Sequence, residues 1–340
     1  ARMTVYRNAQ LMISAPESPF GTAATLDRWL PYLGNPSLDL KPNDQISEAM
    51  YPGAVEPSSA LYRPTEAVDG AIEFEYLAKL FGRVLKWALG NGTSTVVSGS
   101  VYQQNFTLGD GPFFDALTIQ LARQLVDGTF DVHTYLGNTV KSIEFKMDKA
   151  GILTFSVDID GRTMVTNIAK GSPSVSYPNR FTFAGFSMFT GTFTEPTTTA
   201  LPSAATALDG VRSFSLKIEN NVVDDDFRAN NAGLKSQQAM LRRQVTGQIE
   251  MDNTAQAQAL RTTWRTNAGA TALVAKFEAG ALTTGNESIV FGMPDVRISD
   301  TPTPNADGQL PGVTINFRVL KAAALAQPLW ICCRTSDNAL

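Results

Sequence analysis

Two neighbouring segments of this 340-residue chain alternate between apolar and polar side chains, a pattern that strongly constrains the fold. A four-residue turn, Asp148-Lys149-Ala150-Gly151, joins residues 140–147 to residues 152–159. Successive side chains of a β-strand point to opposite faces, so the pattern predicts a hairpin with one packed face and one polar face. The apolar set that can share the packed face is Ile143, Phe145, Met147, Phe155, Val157 and Ile159.

Shorter runs with strand character continue along the chain, and two stretches have a helical period instead. One helix is predicted before Gly90, on the apolar face that ends at Ala88, and another begins after a cap at Asp252, Asn253 or Thr254. Residues 1–70 are expected to be mostly irregular, because eight prolines interrupt them. Strands are predicted at residues 72–75, 102–108, 117–122, 130–135, 213–219, 245–251, 272–278, 288–291, 296–299 and 313–320.

The two halves of the chain repeat a similar order of elements. Trp87 and Trp264 each follow an Ile-Glu pair by 15 positions, counted from Ile72 and Ile249. Further matches are Phe106 and Gly109 with Phe277 and Gly280, and Tyr135-Leu136-Gly137 with Val290-Phe291-Gly292. We therefore predict a mainly β fold, a β-sandwich or barrel with flanking α-helices, built as two similar domains in tandem. The predicted domains are residues 1–200, with an N-terminal arm and a long loop, and residues 201–340, with a C-terminal tail.

Composition narrows the functions that are open to the chain. The formal net charge is −4 and the sequence pI about 5.2, which argues against a basic nucleic-acid clamp. Charged residues make up only 18%, which fits either a surface covered by partner copies or a β-rich monomer. Cys332 and Cys333 are adjacent and predicted to be free thiols, since a bridge between neighbours is strained. No apolar run is long enough to cross a membrane.

No constellation for catalysis or metal binding stands out. His133 is the only histidine and lies in an alternating segment, so it is interpreted as a structural strand residue. One histidine and two adjacent cysteines argue against a zinc site. Residues 224–226 are three aspartates without the spacing of a calcium loop, and a solvated loop or a subunit contact is the favoured interpretation. We therefore predict a protein that is not an enzyme, with no catalytic residue, cofactor or metal.

Several motifs together resemble a known family. Residues 68–75, Val-Asp-Gly-Ala-Ile-Glu-Phe-Glu, lead into residues 80–90, Leu-Phe-Gly-Arg-Val-Leu-Lys-Trp-Ala-Leu-Gly. The pattern continues through residues 135–143, 151–157, 211–221 and 245–247. In this order the motifs resemble the tail tube proteins, or major tail proteins, of long-tailed, siphovirus-type bacteriophages, in a tandem-domain form.

The resemblance implies a structural subunit of the virion tail, made in the host cytoplasm. Such subunits form stacked rings whose sheets join edge to edge around a channel for viral DNA. Six single-domain subunits usually close a ring, so a duplicated chain implies homotrimeric, pseudo-hexameric rings, with hexamers as the alternative. The implied partners are further copies, the tape-measure, terminator and distal tail proteins, and genomic DNA that passes without specific binding, with no membrane involved.

Two sets of residues are assigned to this role. A polar, net-acidic channel repels phosphates, so polar strand faces are the channel (lumen) candidates: Glu73, Glu75, Glu144, Lys146, Ser156, Asp158, Ser215, Lys217, Glu219, Gln248 and Glu250. The long loops, residues 33–66 and 222–243, and the N-terminal arm are assigned to contacts between rings. The loops are expected to order only on stacking. The ring-stacking candidates are Asp39, Lys41, Asp44, Asp224, Asp225, Asp226 and Arg228.

Two other classes of function stay open. One is a different viral tail module, such as a terminator, a baseplate hub or the tube of a contractile particle. The other is a β-sandwich binding module, for example for carbohydrate. The second is less favoured, because Trp29, Trp87, Trp264 and Trp330 are dispersed rather than grouped as a platform.

Overall fold

The computed structural model describes residues 9–47, 61–266, 271–299, 303–304 and 312–340. Its first half holds β1 (Gln10–Pro16), β2 (Leu26–Leu30), β3 (Asp39–Ile46), β4 (Leu61–Glu75), α1 (Gly82–Leu89), β5 (Gly90–Ser98), β6 (Val101–Leu108), β7 (Leu117–Gln124), β8 (Phe130–Met147), β9 (Thr154–Gly161) and β10 (Thr163–Val165). Its second half holds β11 (Phe186–Thr194), β12 (Ser203–Ala207), β13 (Val211–Glu219), β14 (Gln244–Asp252), α2 (Ala255–Thr266), β15 (Thr271–Ala281), β16 (Asn286–Ile298), β17 (Thr303–Pro304), β18 (Gly312–Val319) and β19 (Trp330–Thr335). The predicted mainly β fold with few helices is confirmed.

One antiparallel layer runs through both halves of the chain, and we call it the central sheet. Its strand order is β3-β4-β9-β8-β13-β14-β18, with β16 and β17 along the outer side of β18. The join between the halves is the pairing of β8 with β13, which extends from Phe214 opposite Met147 to Glu219 opposite Ser142. The predicted hairpin at residues 140–159 lies in the middle of this sheet.

A second layer covers the apolar face of the central sheet. From the first half it contains β2, β1, β7 and β10, and from the second half β12, β11, β15 and β19. The first-half strands β6 and β5 extend the second-half part, because β6 pairs with β19. Two long strands belong to both layers. The first part of β8 pairs with β7 and β10 and the rest with β9 and β13, while β16 pairs with β15 and β19 before it reaches β18. The sequence had divided each of these strands into two.

The core lies between the two layers and is continuous across the halves. Phe145 of the central sheet packs edge to face on Phe291 of β16, with ring centroids 4.9 Å apart. Phe74 stacks on Phe155 at 4.9 Å, and Phe155 meets Phe81 beside α1 at 4.8 Å. Each of these rings is fully or almost fully buried, and burial of a Phe side chain contributes about 1.5–3 kcal/mol.

Both helix predictions hold at their ends. Gly90 follows α1 in the left-handed conformation, φ 82°, and its N–H donates to the carbonyl of Lys86. The Thr254 hydroxyl accepts a hydrogen bond from the Ala257 N–H, 3.3 Å, at the start of α2, so Thr254 is the cap among the three candidates. No described helix is both long and apolar enough to cross a membrane. Cys332 and Cys333 are free thiols, as predicted, and both are buried.

Several sequence expectations were wrong. The first 70 residues hold β1, β2, β3 and the start of β4, although their prolines suggested irregular structure. Strands β5, β11, β12 and β19 had not been predicted, because glycine, threonine and alanine blur the alternation in the first three. Phe106 and Phe277 are not equivalent, since β6 pairs with β5 and β19 whereas β15 pairs with β11 and β16.

The same pairing pattern occurs twice along the chain. In the first half β1 pairs with β2 and β7, β4 with β3 and β9, and β8 with β7, β9 and β10. In the second half β11 pairs with β12 and β15, β14 with β13 and β18, and β16 with β15, β18 and β19. Strand β11 ends before the predicted boundary at residue 200 and yet pairs only with second-half strands among the described residues.

Candidate functional site

The polar face of the central sheet brings together side chains from both halves of the chain. Row by row, Glu73 lies opposite Ser156, Ser156 opposite Glu144, and Glu144 opposite Lys217. Directly opposite residues of an antiparallel pair share one face of the sheet. The same registers place all eleven channel candidates on this face, so they form one surface that crosses five strands; the remaining ones are Glu75, Lys146, Asp158, Ser215, Glu219, Gln248 and Glu250.

This polar face is acidic and partly self-neutralised. The eleven residues include six carboxylates and two ammonium groups, a net charge of −4. Lys146 Nζ lies 3.1 Å from Glu144 Oε1 and Lys217 Nζ 2.6 Å from Glu219 Oε1. The hydrogen bond to Glu219 raises the pKa of Lys217. Glu75 pairs with Arg180 from outside the strand rows.

Three polar residues on β18 belong to the same face and had not been selected from the sequence. Thr314, Asn316 and Arg318 lie opposite Glu250, Gln248 and Thr246 of β14. The alternation of β18 could have identified them, because the residues that alternate with them are apolar. These are Val313, Ile315, Phe317 and Val319, and all four are buried. Arg318 is exposed, and it is the one charged residue among the three polar ones.

A segment of the second half covers one end of the polar face. We call residues 222–241 the strap. Lys235 donates to Asp160 Oδ1 at 2.5 Å, and Gln238 Nε2 donates to Asp160 Oδ2 at 2.9 Å. Thr139 also donates its hydroxyl to Gln238, 3.1 Å. Burial raises the pKa of the Asp160 carboxyl, against the opposing effect of Lys235. The sequence predicted a loop that orders only on assembly, whereas these buried contacts fix the strap on its own sheet.

The ring-stacking candidates all lie at one end of the central sheet, the end from which the strap and the β3–β4 hairpin extend. We call it the loop end, and the opposite end, with the turn at residues 148–151, the turn end. At the loop end, Asp44 binds Arg63 at 2.7 Å and Asp226 binds Arg228 at 2.7 Å. The other candidates there are Asp39, Lys41, Asp224 and Asp225.

The only histidine of the chain lies outside the polar face. His133 Nε2 lies 3.2 Å from Asp131 on β8, in the layer that faces away from the polar surface. Among the described residues, no three His, Cys, Asp or Glu side chains converge as metal ligands do. A cavity of about 600 Å³ lies beside the loop end, and the half-buried Arg243 on its wall donates to the carbonyls of Leu89 and Gly109.

Comparison with known proteins agrees with the motifs. A family model described as phage tail tube protein matches residues 7–319 of the chain. This match covers the central sheet, both helices and the whole polar face. No curated protein matches the chain.

Proposed function

The chain belongs to the phage tail tube protein family, and we propose that it builds the tube of a long-tailed, siphovirus-type particle from rings of three copies. Each copy then supplies two equivalent units. The repeated pairing pattern supports a tandem duplication, with unit 1 running from β1 to β10 and unit 2 from β11 to β19. The pairing of β11 supports a unit boundary between β10 and β11 rather than after residue 200.

The observation that carries this proposal is the single acidic face shared by both units. Three copies supply six four-stranded segments of central sheet, each of them either β3-β4-β9-β8 or its counterpart β13-β14-β18-β16. Closed into a barrel, these segments line a bore with carboxylates, amides and hydroxyls, and phosphates then stay hydrated and slide. The residues that line the bore are the eleven candidates together with Thr314, Asn316 and Arg318.

The strand pairing between neighbouring copies can be inferred from the strand pairing between the two units of one chain. Inside one copy, the edge of β8 pairs with the edge of β13. The equivalent edges left open among the described residues are the outer edge of β3 and that of β16 with β17. We assign the ring junction to these two edges, which also removes the exposed strand edges that invite uncontrolled pairing.

Contacts between rings fall to the exposed part of the strap at the loop end, where we place Asp224, Asp225, Asp226 and Arg228. Asp39, Lys41 and Asp44 on the β3–β4 hairpin had been assigned to the same contact. The repeat supports another partner for this hairpin. The further partners in this role are tape-measure, terminator and distal tail proteins, with genomic DNA inside the bore, and the chain acts as a structural part of the virion rather than as a catalyst.

Electron microscopy of the purified protein tests the proposal. We expect long hollow tubes, with rings of three chains that show near-six-fold density. Six chains in a ring would contradict the trimer but not the tube. A monomer that never assembles, or a tube that forms only inside a contractile sheath, would overturn the proposed function.

A further inference from the structure

The two units carry residues of different charge at the loop end of their polar faces. In unit 1 the row Asp69-Asp160-Thr139 crosses β4, β9 and β8, and the equivalent row of unit 2 is Thr246-Arg318-Arg297 on β14, β18 and β16. The equivalence follows from the registers: Asp69 precedes Ile72 by three residues, as Thr246 precedes Ile249, and Ile72 and Ile249 lie opposite Val157 and Ile315.

The unit 1 row is covered at Asp160 and Thr139, whereas Arg318 at the equivalent place in unit 2 is exposed. Asp160 and Thr139 are 1% and 0% exposed, because Lys235 and Gln238 of the strap lie on them. Arg318 is exposed, donates to Gln244 Oε1 at 3.1 Å, and has no carboxylate partner among the described residues. Arg297 pairs with Asp295 at 2.9 Å, so Arg318 is the arginine of this row without a carboxylate partner in the described part of the chain. It stands where unit 1 has Asp160 with a lysine bound to it.

The covering segment has a counterpart of its own. The strap connects β13 to β14, and the corresponding connection of unit 1 is the β3–β4 hairpin. Leu40 lies opposite Val68 as Ile218 lies opposite Val245, so Asp44 corresponds to Val222, where the strap leaves the sheet. The strap extends past the edge of β13 and covers unit 1, which lies next to that edge. If the hairpin extends past the edge of β3 in the same way, it leaves its own chain, because no unit of that chain lies next to β3 among the described residues.

The hairpin also exposes large apolar side chains, as a segment does when the surface that it packs against is absent. Ile46, Leu61 and Tyr62 are 65%, 63% and 61% exposed, although they belong to regular strands. Asp44 is held by Arg63 of the same hairpin at 2.7 Å and remains accessible. Apolar side chains beside an accessible carboxylate match a neighbouring surface that presents an unpaired arginine.

We propose that the β3–β4 hairpin of one copy lies across the loop end of unit 2 in the adjacent copy of the same ring, with Asp44 facing Arg318. This inference rests on the proposed trimeric ring and names its lateral contact. The hairpin is then a strap provided by the neighbouring chain. Each of the six units in a ring has its loop end covered, three within a chain and three between chains.

Charge reversal tests the contact. Arg318→Glu is expected to weaken trimer formation at least tenfold in sedimentation equilibrium, and the added substitution Asp44→Lys is expected to restore it. Lys149→Glu, the same charge change on an exposed residue at the turn end, is the matched control and should leave trimers intact. Unchanged trimers with Arg318→Glu, or no rescue by Asp44→Lys, would refute the inference while wild-type rings still upheld the proposed function.

A cross-linking measurement gives the direction of the contact independently of stability. With benzoylphenylalanine in place of Tyr62, ultraviolet light should join the hairpin to peptides from residues 286–335 of another copy, already at the stage of isolated rings. Cross-links that form only in tubes, to peptides that carry the turn at residues 148–151, would instead assign the hairpin to stacking and overturn the lateral contact. If the wild-type protein forms no rings at all, the proposed function fails first.

Discussion

Lys235 and Asp160 form an ion pair at 2.5 Å with side chains 6% and 1% exposed, and this pair ties the second half of the chain to the polar face of the first. A buried pair of this kind adds modest net stability, but removal of one partner leaves an isolated charge in a medium that solvates it poorly. The pair therefore acts mainly as a lock on the position of the strap.

Lys235→Met should lower the free energy of unfolding by about 3–5 kcal/mol, because Asp160 then stays buried without its counter-charge. Chemical denaturation gives the value, and limited proteolysis within residues 222–241 reports the release of the strap. The double variant Lys235→Met with Asp160→Leu should recover most of the loss, since no charge is left to desolvate. If both variants are equally unstable, packing of the strap and not the ion pair is what holds it.

Glu17 should make stability depend on pH. Its carboxylate accepts hydrogen bonds from the Gly137 N–H at 3.0 Å and the Thr118 hydroxyl at 2.8 Å, yet burial outweighs them and raises its pKa above 4.5. The folded state therefore binds the proton more tightly, so this contribution to stability is full below pH 4.5 and is lost as pH rises through the raised pKa.

Glu17→Gln removes that titration, and thermal unfolding between pH 4 and 7 should show a smaller fall in stability with rising pH than wild type. Asp127→Asn is the contrasting variant. Hydrogen bonds from Thr129 lower the pKa of Asp127 from 3.8, so the stability that this carboxylate contributes is lost only as pH falls below about 4. Asp127→Asn should therefore leave the profile between pH 4 and 7 nearly unchanged. Identical pH profiles for wild type and Glu17→Gln would show that the carboxyl is not perturbed.

Gly70 on β4 should not tolerate a side chain. A Cβ there meets the backbone of Leu38 at 2.5 Å, and its φ is 151°. Gly128 also has a positive φ, 91°, but no atom of a described residue lies close to the position of its added Cβ. Gly128→Ala therefore measures the free-energy cost of the backbone conformation alone. Calorimetry should find Gly70→Ala less stable than Gly128→Ala by about 1–3 kcal/mol, the usual cost of overpacking. Equal losses would mean that the strand shifts to make room.

The charge of the polar face should control contact with DNA. Glu73 and Glu250 have no ion-pair partner among the described residues, and their joint replacement by lysine changes the net charge of the eleven candidates from −4 to zero. Tubes of this variant should retain short duplex DNA in a salt-dependent way, because lysines displace counterions from phosphates. Co-sedimentation with labelled oligonucleotide measures the effect.

The control for this prediction is the double variant Asp127→Lys with Glu195→Lys, which alters two exposed carboxylates outside the polar face. It carries the same charge change and should retain no more DNA inside intact tubes than wild type. Equal retention by both variants would indicate that the outer surface and not the bore binds the oligonucleotide.

The sequence by itself determined the local part of this protein. Alternation predicted the strands of the central sheet other than β3 and β17. It also separated Glu144, Lys146, Ser156 and Asp158 from Phe145 and Phe155, because successive side chains of a strand point to opposite faces. Glycine and threonine likewise marked the ends of α1 and α2. The family followed from the same motifs, since their order along the chain is itself a local property.

Only the tertiary structure decided which segments meet. That β8 pairs with β13 and so joins both halves in one face, that β6 pairs with β19, and that Lys235 lies on Asp160, 75 positions away, are non-local contacts. Such contacts depend on register and layer order, and a single sequence carries no signal for either when edge strands such as β5 and β12 consist of small polar residues. For this reason the sequence predicted a free loop where the structure has the strap. The position of Arg318, equivalent to that of Asp160, was likewise evident only from the strand pairing.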